Sequence, residues 1–259
     1  MPARDLPLLI HAARIAGRVA TSFAGPTAAR WDKDAGAGPV TEADLAVDHY
    51  LRTSLLAARP GYGWLSEETE DSAARLDRET VFIVDPIDGT RSFVEGARTW
   101  AISIAVAHQG AVTAAAIFLP LRGLLYAAGR DLGATLNGAP ISVAGPRDPM
   151  HVLAARPVVD AKYWPGGVPD FERHYRPSLA YRLALIGSGK FDAMVTLRAT
   201  WEWDIAAGAL IVSEAGGRIT DRTGAALRFN NAAPHLDGVL AAEPTAHARL
   251  LRGLTDGDS

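Results

Sequence analysis

Two aspartates three residues apart end an apolar stretch of this chain. The segment "VFIVDPIDGTRSF" at residues 81–93 places Asp85 and Asp88 after four apolar residues, and Gly89 and Thr90 follow. Carboxylates this close repel each other unless a positive charge lies between them. Because carboxylates are hard oxygen ligands, Mg²⁺ is a natural counter-charge. The pair therefore predicts a metal site, and its alternative is a solvated turn around the proline.

Three further acidic positions lie beside apolar runs. Glu67 and Glu68 end "GWLSEE", Asp44 lies in "VTEAD", and Asp204 lies in "WEWDIAAGALIVSEAGG". If these acids meet at the ends of buried elements, they extend the predicted cation site. Each has an ordinary alternative, since the two glutamates suit a surface and Asp204 suits the N-cap of a helix that a Gly-Gly pair ends.

The Gly-Thr pair after Asp88 suits an anion. Glycine lets backbone N–H groups approach a ligand closely, and a helix that begins there would favour a phosphate at its N-terminus. The chain contains no cysteine, so a thiol nucleophile is excluded. A metal beside a phosphate cradle then indicates phosphoryl transfer to an activated water.

Hydrophobic periodicity predicts the elements that position these residues. One amphipathic helix is predicted over roughly the first 23 residues. A second helix is predicted from "TEAD" onward, capped by Thr41, with an inner face of Leu45, Val47, Leu51, Leu55 and Leu56. Strands are predicted at 81–85, at 101–107 and 112–119 as a hairpin, and in short pieces between 124 and 143.

The pattern changes after residue 149, where short apolar segments alternate with helices predicted at 178–188, 204–215 and 245–254. Such alternation is typical of an α/β arrangement. We therefore place a domain boundary near residue 145. An N-terminal α+β domain (1–145) would carry most of the metal and phosphate ligands, and a C-terminal α/β domain (146–259) would contribute Asp204 and the residues that determine substrate specificity.

Composition excludes several classes of protein. The net charge of −3 and the absence of a Lys/Arg run argue against a nucleic-acid-binding surface. No apolar run approaches the roughly 18–20 residues that span a bilayer. Asp5, His11 and Arg14 interrupt the N-terminal segment, which is therefore not a signal peptide. The absence of cysteine fits a cytoplasmic protein.

Taken together, these motifs resemble the inositol monophosphatase family of Mg²⁺-dependent, lithium-sensitive phosphatases. "DPIDGTRSF" is similar to the first signature of that family and "WDIAAGALIVSEAGG" to its second, and the resemblance runs from "GPVTEAD" through "LNGAPI" to "EAGGRITD". It implies a layered αβαβα sandwich of the inositol monophosphatase and fructose-1,6-bisphosphatase type, a mixed α+β and α/β class. It also implies two or three Mg²⁺ ions per active site and a homodimer.

The resemblance implies a role for each matching residue. The implied metal ligands are Glu67, Asp85, the carbonyl of Ile87, Asp88 and Asp204, and Glu67 is counted among the catalytic residues as well. The backbone N–H groups of Gly89 and Thr90 would bind phosphate. The Thr90 hydroxyl and Asp44 would orient and deprotonate the attacking water. Lys33 would be a mobile lysine near the third metal and the substrate, and its alternative is an exposed loop lysine.

The implied reaction is hydrolysis of a small-molecule phosphomonoester by a metal-activated water. Inositol-specific members carry a glutamate shortly before the second signature, but this chain has no acid between Asp192 and Glu202. "PSLAYRLALIGSGKFD" resembles the version in the bacterial CysQ-type 3'(2'),5'-bisphosphate nucleotidases, with Arg182 as the residue that would bind a second phosphate. The alternative for Arg182 is a helix arginine that snorkels to solvent.

We therefore expect 3'-phosphoadenosine 5'-phosphate as the substrate, in preference to inositol phosphates. Histidinol phosphate and fructose bisphosphate are less favoured substrates. Trp201 and Trp203 flank the second signature, where one could stack on an adenine or both could pack in the core. A different class of function is a non-catalytic regulator that binds metal or phosphate, but such a protein has no need of the Asp44–Thr90 pair.

Overall fold

A computed structural model of the chain describes residues 2–23, 25–32 and 39–255, so that Lys33 lies outside the described residues. The α-helices in these ranges are α1 (Pro2–Ser22), α2 (Glu42–Ala58), α3 (Thr90–Val94), α4 (Leu179–Gly187), α5 (Glu202–Glu214) and α6 (Pro244–Thr255). The first strands are β1 (Arg30–Asp32), β2 (Pro39–Thr41), β3 (Gly63–Ser66), β4 (Thr80–Asp88), β5 (Ala101–His108), β6 (Ala111–Leu119) and β7 (Leu124–Gly129). The others are β8 (Gly133–Leu136), β9 (Ala139–Ile141), β10 (Met150–Ala154), β11 (Phe171–His174), β12 (Ala193–Trp201), β13 (Arg218–Thr220) and β14 (His235–Ala242).

Two large sheets contain all of these strands except β1 and β2, which pair with each other. Strands β3 to β9 follow chain order in a seven-stranded sheet, in which β3 and β4 are parallel and the other neighbours antiparallel. The five-stranded sheet has the order β11-β10-β12-β14-β13, and β10 runs parallel to both of its neighbours. The predicted hairpin of β5 and β6 is confirmed.

Three hydrophobic clusters show the order of the layers. The central cluster joins the two sheets through α4 and α5, and it includes Ile83, Leu183, Ile211 and Val239. A second cluster packs α1 and α2 on the outer face of the seven-stranded sheet, and a third packs α6 on the outer face of the five-stranded sheet. The layers therefore run αβαβα, and the fold that the resemblance implied is confirmed.

Strand β4 lies between two of these cores. Phe82 and Val84 belong to the outer cluster, whereas Ile83 between them belongs to the central one. Since successive side chains of a strand point to opposite faces, a strand that is covered on both faces needs an unbroken apolar run. The "VFIV" run before Asp85 is apolar throughout because both faces of β4 are covered. Asp85 and Asp88 follow directly at the end of this buried strand.

The predicted elements agree with the structure except in a few places. Leu45 is 41% exposed and is not on the inner face of α2, because it lies off the helical stripe of Val47, Leu51 and Leu55. Asp204 is not an N-cap, since α5 begins at Glu202 and Asp204 lies in its first turn. Strand β4 is longer than predicted, and β1, β2, β11 and β13 were not predicted as elements. Helix α3 begins at Thr90, where the sequence analysis considered a helix start.

The proposed boundary near residue 145 falls between the two large sheets, which occupy residues 63–141 and 150–242. The central hydrophobic cluster nevertheless contains residues from both halves of the chain. The division into domains 1–145 and 146–259 therefore remains a prediction. Among the helices described, none has both the length and the apolar character needed to cross a membrane.

Gly208 shows how closely α4 and α5 approach each other in the middle layer. A Cβ atom built on Gly208 would lie 2.4 Å from Cβ of Leu183, which is shorter than side-chain contacts in real proteins. The Leu183 Cβ is attached to the helix backbone and cannot rotate away. The position therefore requires glycine as long as the two helices keep this separation.

Gly208→Ala is expected to destabilise the protein. Overpacking a core typically costs about 1–3 kcal/mol, which exceeds the roughly 0.5–1 kcal/mol by which alanine is favoured over glycine inside a helix. Urea unfolding measures the change in the free energy of unfolding. Gly61→Ala is the control, since an added Cβ there meets no described atom within 4 Å. Equal stability of the two variants would contradict the close packing of α4 on α5.

Candidate active site

A bulge in β4 brings Asp85 and Asp88 to the same side of the sheet. Asp85 pairs with Ser103 of β5 and Asp88 with Ala101, so β4 has one more residue than β5 over this interval. Residues three apart on a regular strand point to opposite faces, and one extra residue reverses that alternation. Pro86 lies in the bulge, where the regular ladder of hydrogen bonds is interrupted. Its lack of an N–H therefore costs no regular ladder hydrogen bond.

Asp204 completes a group of three carboxylates. One carboxylate oxygen from each of Asp85, Asp88 and Asp204 lies within 4.8 Å of the other two. Asp204 reaches this position from the first turn of α5, and the hydroxyl of Ser103 donates to the carbonyl of Trp203 at 3.3 Å. The start of α5 is thus attached to the strand that pairs with Asp85.

The electrostatics of this three-acid group favour a bound cation. Burial raises the pKa of Asp85 well above its usual range, and the charges of Glu67, Asp88 and Asp204 raise it further. Burial and the charges of Asp88 and Glu67 likewise raise the pKa of Asp204. Oδ1 of Asp85 is buried and has no hydrogen-bond partner among the described residues. A hard divalent cation would satisfy that oxygen and offset the repulsion, so the residues fit a metal.

The N-terminus of α4 holds Asp88 in place. Oδ2 of Asp88 accepts from the Ser178 hydroxyl at 2.5 Å and from the Ala180 N–H at 2.6 Å, and Oδ1 accepts from the Leu179 N–H at 3.3 Å. Burial raises the pKa of Asp88 to about 6, although these hydrogen bonds lower it. Sequence reasoning missed this contact, and the available signal was a serine directly before an apolar helix.

Asp44 is oriented by the cap of its own helix. Thr41 caps α2, and Oδ2 of Asp44 accepts from the Thr41 N–H at 2.8 Å and from its hydroxyl at 2.5 Å. This arrangement is a capping box with aspartate in place of the usual glutamate. Burial raises the pKa of Asp44 to about 6, against the lowering effect of the Thr41 hydrogen bonds. The predicted cap at Thr41 is confirmed.

Thr90 lies between Asp44 and the end of β4. Gly89 adopts a left-handed conformation with φ of 97°, which turns the chain from β4 into α3 and exposes the first N–H groups of that short helix. The Thr90 hydroxyl lies 3.2 Å from Oδ1 of Asp44 and 3.1 Å from the carbonyl oxygen of Ile87. Since the hydroxyl has one proton, it donates to only one of these two acceptors at a time.

Glu67 follows β3 and is partly exposed. Its charge raises the pKa values of both Asp44 and Asp85, so it lies beside the three-acid group. The turn that contains Glu67 is held by Asp48, which accepts from the Ser66 hydroxyl at 2.5 Å and from the Thr69 hydroxyl at 2.6 Å. Asp48 is a positioning residue that the sequence did not indicate.

A cavity of about 310 Å³ lies against α4. Its walls include Leu179 and Arg182 of α4, whose first turn binds Asp88, together with Arg198 of β12. Arg182 is buried and donates from Nε to the carbonyl of Arg176, with its guanidinium 4.6 Å from the ring centroid of Tyr175. It does not snorkel to solvent, and it faces the cavity instead.

The two tryptophans beside the second signature have different environments. Trp203 is buried in the central cluster, as the packing alternative predicted. Trp201 is 39% exposed, and its ring stacks on that of Trp203 with centroids 4.6 Å apart and planes 10° apart. The ring of His235 lies 3.7 Å from that of Trp201. Trp201 therefore already packs against two rings of the chain itself, those of Trp203 and His235.

Comparison with known proteins identifies the family. The model of the inositol monophosphatase family matches residues 4–257. The chain belongs to this family, whose enzymes are phosphoric monoester hydrolases. The "Inositol-1-monophosphatase" of Rhizobium meliloti is 34% identical over 71% of this chain and 73% of that protein. The "3'-phosphoadenosine 5'-phosphate phosphatase" of Mycobacterium bovis is 33% identical over 82% of this chain and 80% of the relative.

A solved structure supports the same assignment. The extragenic suppressor protein suhB of Bartonella henselae superimposes with a TM-score of 0.84 at 28% identity, over 98% of this chain and all of that chain. This chain and the Bartonella henselae protein therefore share the layered fold over nearly their whole lengths. The curated relatives carry the names of different activities, so family membership leaves the substrate open.

Asp85→Asn is expected to stabilise the metal-free protein at neutral pH. The pKa values of Asp44 and Asp88 are about 6 in the folded chain, against an ordinary 3.8, so the folded state keeps protons that the unfolded chain releases over this interval. The free energy of unfolding therefore falls as the pH rises from about 4 to 6. Asp85 contributes in the same direction, because burial and the charges of Glu67, Asp88 and Asp204 raise its pKa well above 3.8, and Asp85→Asn removes that contribution.

Thermal unfolding in EDTA at a series of pH values measures this effect. The difference in Tm between Asp85→Asn and wild type should grow as the pH rises, and for a chain of this size 1 kcal/mol corresponds to about 2–4 °C. Asp170→Asn, at an exposed position, is the control. A difference that does not depend on pH would show that the acids do not repel each other in the folded protein.

Proposed function

We propose that this chain hydrolyses small phosphomonoesters with Mg²⁺ bound at the three-acid group. The observation that carries the proposal is the convergence of Asp85, Asp88 and Asp204 beside the hydrogen-bonded pair of Asp44 and Thr90. Such a site holds cations and also has a group that can take a proton. The proposed ligand set is that of the sequence resemblance, namely Glu67, Asp85, the carbonyl of Ile87, Asp88 and Asp204.

The side chains near the three-acid group leave a deficit of positive charge. Arg198 and Arg182 lower the pKa of Asp204, but burial and the neighbouring carboxylates outweigh them and leave it raised. Arginine alone therefore does not neutralise the described part of the site. Divalent cations bound there would supply that charge, make water a stronger nucleophile and offset the charge on the phosphoryl oxygens.

The chain's own residues would bind the phosphate and remove the proton of the attacking water. The N–H groups of Gly89 and Thr90, at the start of α3, would donate to phosphoryl oxygens. The Thr90 hydroxyl would accept a proton from water as it passes its own proton to Oδ1 of Asp44. The water oxygen would then form the new bond to phosphorus while the bond to the ester oxygen breaks on the opposite side, and the released alkoxide would take a proton from a solvent water. An acid with a pKa of about 6 is well matched to this role near neutral pH.

Thr90→Ala and Asp44→Asn are expected to lower kcat by about 10²- to 10⁴-fold, which is the usual contribution of general acid–base catalysis. KM should change much less, because neither change removes the proposed cation ligands. Steady-state phosphate release with saturating Mg²⁺ measures both constants. Thr90→Ser, which keeps the hydroxyl, is the control and should retain most of the activity. A large rise in KM with unchanged kcat would assign these residues to binding instead.

For the substrate we favour 3'-phosphoadenosine 5'-phosphate. The cavity against α4 is lined by Arg182 and Arg198, which suit a second phosphate, and by Tyr163 and Tyr175, which suit a nucleobase or ribose. The described lining contains no carboxylate. Inositol phosphate remains the alternative, since a relative of similar identity carries that name, but a polyol ring would find few acceptors for its hydroxyls in this cavity.

A substrate panel tests this choice by kcat/KM. It compares 3'-phosphoadenosine 5'-phosphate, 3'-AMP, inositol 1-phosphate, histidinol phosphate and fructose 1,6-bisphosphate. We expect the bisphosphate nucleotide to be preferred by about tenfold or more, which corresponds to about 1.4 kcal/mol of transition-state discrimination. A tenfold preference for inositol 1-phosphate would reverse the order of the two proposals.

Arg198→Gln is expected to lower kcat/KM for 3'-phosphoadenosine 5'-phosphate by about 10- to 150-fold, since a charge-assisted hydrogen bond contributes roughly 1.5–3 kcal/mol. The same variant should change the value for 3'-AMP little, because that substrate lacks the second phosphate. Arg198 is exposed, so its loss should not disturb folding. Arg249→Gln on α6 is the matched control. Equal losses on both substrates would place Arg198 at the reacting phosphate.

A regulator that only binds metal or phosphate is the alternative of a different class. The hydrogen bond between Thr90 and Asp44 argues against it, since binding alone needs no group to take a proton. The homodimer and the cytoplasmic location expected from the sequence also remain predictions.

A further inference from the structure

Two histidines and a glutamate meet at the edge of the five-stranded sheet. His151 of β10 pairs in register with Glu172 of β11, and Leu153 pairs with His174. Because side chains two residues apart share a face of a strand, His151, Glu172 and His174 all project from the same face. One ligand atom from each of the three lies within 4.8 Å of the other two.

Two separations between a histidine nitrogen and a carboxylate oxygen are close to those found around zinc. Nε2 of His151 lies 3.4 Å from Oε2 of Glu172, and Nε2 of His174 lies 3.2 Å from Oε1. Tetrahedral zinc binds imidazole nitrogen and carboxylate oxygen at about 2.0–2.2 Å, which places neighbouring ligand atoms roughly 3.3–3.5 Å apart. Each imidazole thus lies at nearly this distance from one carboxylate oxygen of Glu172, His151 from Oε2 and His174 from Oε1.

One of these nitrogens lies beside the carboxylate without a hydrogen bond to it. Nε2 of His174 is buried and has no hydrogen-bond partner among the described residues, although the carboxylate of Glu172 is near. Buried polar atoms without a partner are uncommon in folded proteins, and each calls for an explanation. An ion between the histidines and the carboxylate would satisfy this atom.

The surrounding chain holds both imidazoles in place. The His174 ring packs edge-on against Phe191 with centroids 5.2 Å apart, and it lies 4.9 Å from the His151 ring. The His151 N–H donates to Oδ2 of Asp192 at 2.7 Å, which fixes the backbone at that position. Ligands that are oriented before the metal arrives lose less conformational freedom on binding.

We propose that His151, Glu172 and His174 form a second metal site, for a transition-metal ion of the zinc class. Imidazole nitrogen suits zinc and its neighbours in the first transition series, whereas Mg²⁺ prefers oxygen ligands only. The site therefore differs in ligand chemistry from the three-acid group, which offers oxygen alone. Two histidines and one carboxylate leave a fourth position for water. The inference does not depend on the proposed phosphatase activity.

The position of this site gives it a structural consequence. His174 ends β11, and the chain then passes through Tyr175 and Pro177, which line the cavity, to Ser178, which binds Asp88. An ion bound to both β10 and β11 would restrict the motion of the segment from His174 to Ser178, which leads to the active site. Bound zinc should therefore slow hydrogen exchange over residues 171–178.

Anomalous diffraction at the zinc absorption edge locates the ion directly. The full chain is crystallised with excess Mg²⁺, to fill the three-acid group, and soaked with Zn²⁺. We expect a zinc peak between His151, Glu172 and His174 in the wild type and no such peak in Glu172→Gln or His174→Ala. His235→Gln, a change of a histidine on another strand, is the control and should keep the peak.

Calorimetric titration with Zn²⁺ in excess Mg²⁺ measures the affinity. We expect Glu172→Gln and His174→Ala to weaken binding by on the order of 100-fold or more, since even an outer-shell partner typically contributes 10–100-fold. Glu172→Gln keeps the shape of the side chain, so it remains informative if His174→Ala fails to fold. A zinc peak only at the three-acid group, no zinc binding in wild type, or wild-type affinity in both variants would overturn the proposal. The three residues would then form only a surface polar cluster.

Discussion

The mutual repulsion of buried carboxylates is the constraint on which the rest of this structure depends. Asp85, Asp88 and Asp204 offer oxygens within 4.8 Å of one another, and burial together with neighbouring carboxylate charges raises the pKa of each. A group of like charges in a buried position separates unless the surrounding structure holds it together. The packing of the helices and sheets around β4 provides that restraint, and it leaves the charge itself for a cation to offset.

The layered fold provides this restraint because β4 is covered on both faces. Its alternating side chains enter two separate hydrophobic clusters, which fix the strand up to the bulge. Beyond the bulge, hydrogen bonds fix the acids. The first turn of α4 donates to Asp88, and the capping box of α2 orients Asp44 beside Thr90. Each acid is therefore placed by a different element, and none depends on a long flexible loop among the described residues.

The same element that orients Asp88 also forms a wall of the cavity. The first turn of α4 binds the carboxylate, and one turn later Arg182 faces the cavity. Helix α4 thus connects the three-acid group with the cavity. Strand β11 leads into this helix through Tyr175 and Pro177, so the histidine–glutamate group at its end is connected to the cavity by a short segment of chain.

The sequence by itself determined the chemistry and most of the elements, because the relevant signals are local. The acids follow apolar runs, Thr41 precedes a helical pattern, and the two signatures are contiguous segments. Only the tertiary structure decided the bulge that places Asp85 beside Asp88, the contact of Ser178 with Asp88, and the meeting of His151 with Glu172 and His174. These contacts join residues that are distant in sequence or depend on strand register, and neither pairing nor register is encoded in local periodicity.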